Sequence, residues 1–308
     1  MNRIVLIFSA LALFAACEKY EEEVMTDEGL NAVTLPAVIS ASISGDDIDP
    51  KTRTYIGGEE GKDVLWHCDD EISYFTGNIH TNYVSQGAGD SSVEFRPGDK
   101  EQATVESAVD GTVAVYPYNS DNDSRIVEGK DVIYTTFPSI QTYALNSFGK
   151  GANVMVAKSE TAGADNLYFR NVCGYLVIKL YGADTAVKSI VLSSRSGLER
   201  ISGSAYVSVD QSKDPEVTMT NFANTTITLD CSNGGEGVQL GEDKEHSTEF
   251  WFALPPVRFE KGITIVVTDI RDRSYVKSTA KTVTVTRNNI QPMAALQFVS
   301  NTPASNQS

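Results

Sequence analysis

From residue 33 onward the chain alternates apolar and polar positions. Leu176, Ile178 and Leu180 take every second place in YLVIKL, and Ile263, Ile265 and Val267 do so in ITIVVTD. The same spacing runs through AYVSVD (Val207, Val209), TTITLD (Ile227, Leu229) and KTVTVTR (Val283, Val285). A period of two, rich in β-branched residues and broken by Gly, Asp and Asn, predicts half-buried strands. No stripe at helical spacing appears. The stretch FPSIQTYALNSFGKGANVMVA (137–157) predicts at most one helical turn. Strands in this number without helices between them predict an all-β fold of antiparallel sandwiches or barrel-like sheets. The small, polar, glycine-containing stretch KSETAGADN (158–166) predicts a boundary, with one β-sandwich domain over 33–160, a second over 161–300, and a tail over 301–308.

The N-terminus follows another pattern. Arg3 precedes an apolar run from Ile4 to Phe14, and two alanines close it. That order predicts a secretory signal peptide over 1–16. The run is shorter than the ~20 residues a membrane-spanning helix needs. Phe14-Ala15-Ala16-Cys17 resembles a bacterial lipobox, which implies cleavage before Cys17 and lipidation of that residue. The acidic stretch after it, EKYEEE (18–23), resembles the export signal of surface lipoproteins in Bacteroidales-type bacteria. Residues 17–32 are therefore expected to be a lipidated acidic linker.

Composition narrows the partners. The 308 residues carry a formal charge of −16, and loss of residues 1–16 would remove a single charged residue, Arg3. No basic cluster is present, which argues against nucleic acid and anionic membrane surfaces. Beyond Cys17 the cysteines are Cys68, Cys173 and Cys231, with no metal-ligand spacing and room for one disulfide at most. Cys173, among strand-like residues, is expected to be a small buried group. His67, His80 and His246 lie far apart, and no nucleophile elbow, phosphate loop or zinc helix occurs. No catalytic residue, cofactor or metal is expected. SDNDSRIVEG (120–129) looks acidic, but Arg125 stands where a calcium loop needs Asp or Asn, so a turn is expected. Trp66 and Trp251 sit in strand-like runs and are expected in cores. SYFTGNIHTNY (73–83) is the best candidate for an exposed aromatic surface. DTA (184–186) resembles a short O-glycosylation motif and marks Thr185.

Several landmarks occur in order. TRT (52–54) precedes Trp66-x-x-x-Asp70-x-Ile72, then AVYPY (114–118), MVAKS (155–159), LYFRNVCGYLVIKL (167–180), FWFALPPVRFEKGITIVVTD (250–269) and RNNIQPM (287–293). Together they resemble the Mfa-like fimbrillins, lipoprotein subunits of type V fimbriae, over nearly the whole mature chain. The resemblance implies two transthyretin-like β-sandwich domains in tandem and a place at the cell surface, anchored in the outer membrane through the lipid on Cys17. It implies assembly with other fimbrial subunits by β-strand exchange after a protease with arginine specificity removes an N-terminal strand. NAVTLPAVISASIS (31–44) is the candidate strand, with Pro36 confining it to an edge or breaking it. Arg53 is the candidate cleavage site, in a polar, glycine-rich loop that also holds Lys51. Ala294, Leu296 and Phe298 are the candidate donor-strand side chains. Each such side chain, once buried, contributes about 1.5–3 kcal/mol. The alternative from the same residues is a monomeric surface lipoprotein that binds a glycan or host ligand.

Overall fold

The computed structural model describes residues 34–43, 56–57 and 63–299. Cys17 and Arg53 lie outside them. In chain order the first strands are β1 (Ile39–Ile43), β2 (Ile56–Gly57), β3 (Asp63–Val64), β4 (Glu71–Ser85), β5 (Ser92–Pro97), β6 (Ala103–Tyr116), β7 (Asp123–Val127), β8 (Lys130–Phe137) and β9 (Ile140–Ala144). There follow β10 (Ser147–Phe148), β11 (Met155–Ser159), β12 (Asn166–Asn171), β13 (Gly174–Tyr181), β14 (Ala186–Ser194), β15 (Gly203–Ser208), β16 (Val217–Met219), β17 (Thr226–Asp230) and β18 (Val238–Gln239). The last are β19 (Thr248–Leu254), β20 (Val257–Phe259), β21 (Ile263–Asp269), β22 (Ser274–Ser278), β23 (Val283–Val285), β24 (Ile290–Pro292) and β25 (Leu296–Gln297). The fold is all-β, as the alternation predicts. Among the described residues the one helical element is a 3-10 turn at Asn233–Gly235. The 137–157 stretch holds the end of β8, β9, β10, the start of β11 and turns in place of a helical turn.

Six strands close a barrel in the order β1-β12-β11-β6-β4-β5. Its interior is aromatic. Trp66 stands edge-on to Phe95, Tyr116 and Phe169 at 5.0, 5.5 and 5.3 Å between ring centres. Two further sheets pack over an aliphatic core. One contains β9-β17-β14-β21-β22, and the other runs β19-β13-β24 with β25 also on β13. A fourth sheet, β16-β15-β8-β7, completes the set of larger sheets.

Strands β13 and β19 are buried on both faces. Leu176, Ile178, Phe250 and Phe252 point into the aliphatic core. Tyr175, Val177, Trp251 and Ala253 point the other way, into a core shared with Phe75, Val113, Ile133, Phe137 and Val207. Strands covered on both sides read as nearly continuous apolar runs, which is why FWFAL and YLVI lack strict alternation.

Most pairings are antiparallel, but four are parallel: β1–β12, β9–β17, β13–β24 and β13–β25. Parallel neighbours need long crossovers, and here each pair is far apart in sequence. Within 158–166, residues 160–165 form the connection of the β11–β12 hairpin and the rest belong to its strands, with Met155 opposite Asn171. Two pairings also join strands on either side of residue 160, β8 with β15 and β9 with β17. The described residues from 34 onward make one compact unit.

The 73–83 stretch is not an exposed aromatic surface. Tyr74, Phe75 and Tyr83 are fully buried in β4. β4 pairs with β5 and β6, Tyr74 and Tyr83 face the barrel interior, and Phe75 faces the shared core. Trp66 and Trp251 are core residues. Cys173 and Cys231 are buried free thiols, burial pushing each up to about 12, and Cys68 is free and exposed. Thr185 is buried, and its hydroxyl donates to the Ala183 carbonyl at 3.2 Å, which leaves it unsuited to carry a glycan in this fold.

Candidate functional site: the β1 slot and the C-terminal segment

β1 is a central strand, not an edge. It runs parallel to β12, with Ala41 opposite Leu167, and antiparallel to β5, with Ile39 opposite Phe95. Ile39, Ala41 and Ile43 are buried in the barrel at 0, 0 and 7% exposure. Ser40 and Ser42 face outward, and the Ser42 and Ser92 hydroxyls lie 2.9 Å apart. Of the expected strand over 31–44, the described residues 34–43 form strand at Ile39–Ile43. Pro36 sits ahead of it, where no ladder bond is lost, and its carbonyl accepts a hydrogen bond from the Tyr83 hydroxyl at 2.7 Å. Taking β1 away would bare apolar pockets of the barrel and unpaired backbone on both β12 and β5.

Two of the landmark residues, Asp70 and Tyr116, meet in a buried polar contact. Asp70 is fully buried. It accepts from the His67 amide at 2.7 Å and the Tyr116 hydroxyl at 3.0 Å, and the Lys150 ammonium lies 3.7 Å away. The Tyr116 hydroxyl in turn accepts from the Gly151 amide at 3.0 Å. Burial raises the Asp70 carboxyl above its usual value, the hydrogen bonds and Lys150 opposing it. Lys150 also donates to the Cys68 and Asp69 carbonyls at 3.1 and 2.8 Å. Burial likewise raises the Tyr116 hydroxyl well above its usual range, with Asp70 adding to the effect.

The C-terminal segment lies along β13. The Met293 amide donates to the Val177 carbonyl and the Phe298 amide to the Tyr181 carbonyl, each at 2.8 Å. Phe298 is buried at 8% exposure, with its ring centre 5.8 Å from that of Tyr275. Leu296 and Met293 pack, half-buried, against the aliphatic core. Ala294 is exposed. The expected single face of Ala294, Leu296 and Phe298 is broken because the register against β13 shifts between β24 and β25, with Val177 opposite Pro292 and Leu180 opposite Leu296. Beside them a groove of about 280 Å³ is lined by Ile178, Ile263, Ile265, Met293 and Leu296.

No group of His, Cys, Asp or Glu that could hold a metal occurs among the described residues. Arg125, excluded from a calcium loop by its type, pairs with Asp123 at 2.6 Å.

No protein-family model and no curated protein matches the chain. Solved structures do resemble it. One, described as a candidate cell adhesion protein from Bacteroides ovatus, is 13% identical with a TM-score of 0.48, over 85% of this chain and 92% of that one. Another, from Bacteroides uniformis and described in the same terms, is 15% identical with a TM-score of 0.42, over 85% and 93%. The tip fimbrial protein Mfa3 from Porphyromonas gingivalis, with a C-terminal truncation, is 12% identical with a TM-score of 0.31, over 83% and 92%.

Proposed function

We propose that this chain is a structural or accessory subunit of surface fimbriae, exported as an outer-membrane lipoprotein on Cys17 and assembled by strand exchange after cleavage at Arg53. It is read as a building part, not an enzyme. The observation that carries this reading is β1: a short strand, placed ahead of Arg53, that completes a barrel by pairing on both sides and burying alternate side chains. Cleavage after Arg53 would sever β1 from the rest. The vacated slot would then accept a strand from a neighbour by backbone pairing, with alternate side chains choosing the register.

The slot restricts that register. Ala41 occupies a fully buried place where a larger side chain would overpack the barrel. A donor that sets Ala294 there brings Leu296 to the place of Ile43. On this reading Ala294 is small because of where it goes, which accounts for its exposure before assembly.

Limited trypsin digestion of the mature protein, with N-terminal sequencing and an unheated denaturing gel, tests the proposal. The expected result is a new terminus at Thr54 and a ladder of resistant oligomers. A cleaved chain that never oligomerises would overturn it. In the register proposed, Ala294→Leu would cleave normally and polymerise poorly.

A further inference from the structure

We propose that the outward face of the β16-β15-β8-β7 sheet is a binding site for a short neutral oligosaccharide. This site is separate from the β1 slot and does not depend on strand exchange. Tyr134 and Tyr206 stand directly opposite each other on β8 and β15. Their rings are 5.3 Å apart and tilted by 55°. They form one aromatic platform on the face opposite Ile133, Ala205 and Val207, which point into the shared core. Phe222 stands beside them, 94% exposed, and the three rings line a groove of about 600 Å³.

Phe222 is held in place by its backbone. The Thr220 amide donates to the Ser204 carbonyl at 2.9 Å, and the Ala223 amide to the Thr220 carbonyl at 3.2 Å. The Arg200 guanidinium donates to the Ala223 carbonyl at 2.7 Å. The turn is therefore pinned on both sides of the ring it presents. A large apolar side chain that folding leaves in water, on an anchored turn, next to two more rings, is a mark of a binding surface.

The chemistry of the groove selects the ligand. Aromatic faces take the C–H face of a pyranose, and the exposed hydroxyl of Thr218 and amide of Asn221 at the rim take its hydroxyl groups. Arg125 adds donors, its guanidinium carbon 5.4 Å from the centre of the Tyr134 ring. Because Arg125 is paired with Asp123 at 2.6 Å, the groove offers little net positive charge. The whole chain carries −16, so an acidic polymer would be repelled. An extended peptide is disfavoured for another reason. β8 and β15 each pair on both sides, so the groove floor has no open ladder for a strand to join.

The test is calorimetric titration of the full mature protein with cellohexaose, maltohexaose, mannohexaose and xylohexaose, with the urea unfolding midpoint as a fold control. Binding of at least one hexaose is expected. Phe222→Ala and Tyr206→Ala should each weaken it by roughly tenfold or more, and Phe222→Trp should retain it. Phe222→Ala should leave the unfolding midpoint unchanged, since that ring touches little. No binding to any hexaose, or affinity unchanged in the alanine variants, would overturn the proposal. So would binding confined to polygalacturonate or to a proline-rich peptide.

Discussion

At the residue scale the barrel rests on a few buried polar contacts inside an aromatic interior. Asp70 has two close donors, and one is the Tyr116 hydroxyl. Tyr116→Phe strips that donor and leaves the carboxylate and the Gly151 amide each short of a partner. The expected cost is about 1–3 kcal/mol, measured as a lower urea midpoint. His80 gives a pH signature. It is buried, stacked on Phe75 at 4.4 Å, and burial lowers its imidazole to about 4, Asp123 opposing. The unfolded chain therefore binds the proton more tightly than the fold does. Stability should fall as the pH drops from about 6.5 to about 4, by on the order of 3 kcal/mol. His80→Phe should flatten that part of the stability profile, measured by thermal unfolding at stepped pH. Residue type made part of this visible beforehand. Trp66, Asp70 and Tyr116 stand out in the sequence as landmarks, but their convergence does not, because 46 positions separate the partners of the Asp70–Tyr116 bond.

At the element scale, alternation located most strands, β13 among them, and misjudged part of β4, where both faces are covered. SYFTGNIHTNY interleaves polar residues with its aromatics, yet Ser73, Thr76 and Asn82 are buried with them. Each finds partners inside: Thr76 donates to the Gly111 carbonyl at 3.2 Å, and Asn82 donates to Glu71 at 3.1 Å. Local pattern carries no record of such distant partners. The aromatic groove was missed for the mirror reason. Tyr134 and Tyr206 fall in ordinary alternating strands 72 positions apart, and only the pairing of β8 with β15 sets them ring to ring. The β1 segment was legible as a strand, while its central place in a barrel was not, since the parallel partner lies in 166–171. The element-scale expectation concerns that slot. A synthetic peptide of residues 34–43 in excess, added with trypsin, should slow growth of the oligomer ladder by reoccupying the vacated barrel.

At the scale of the whole molecule, charge and shared sheets set the behaviour. Residues 54–308 keep a formal charge of −11, so subunits cleaved at Arg53 repel one another, and their assembly should speed up as sodium chloride rises from about 20 to about 200 mM, followed by light scattering. Cleavage within 158–166 should leave the two fragments together on gel filtration, because β11 remains paired with β12 and β8 with β15 across the cut. The composition that marks 158–166 as a linker fits a hairpin connection equally well, since both call for small, polar, glycine-containing sequence. The parallel lie of β24 and β25 along β13 has a mechanical consequence. Tension applied along the C-terminal segment runs down the strand axis, at right angles to its backbone bonds. Those bonds then share the load and must fail together, whereas a segment peeled from its end would lose them one by one. The C-terminal segment is thereby held to its own β13 by a joint that yields late and abruptly.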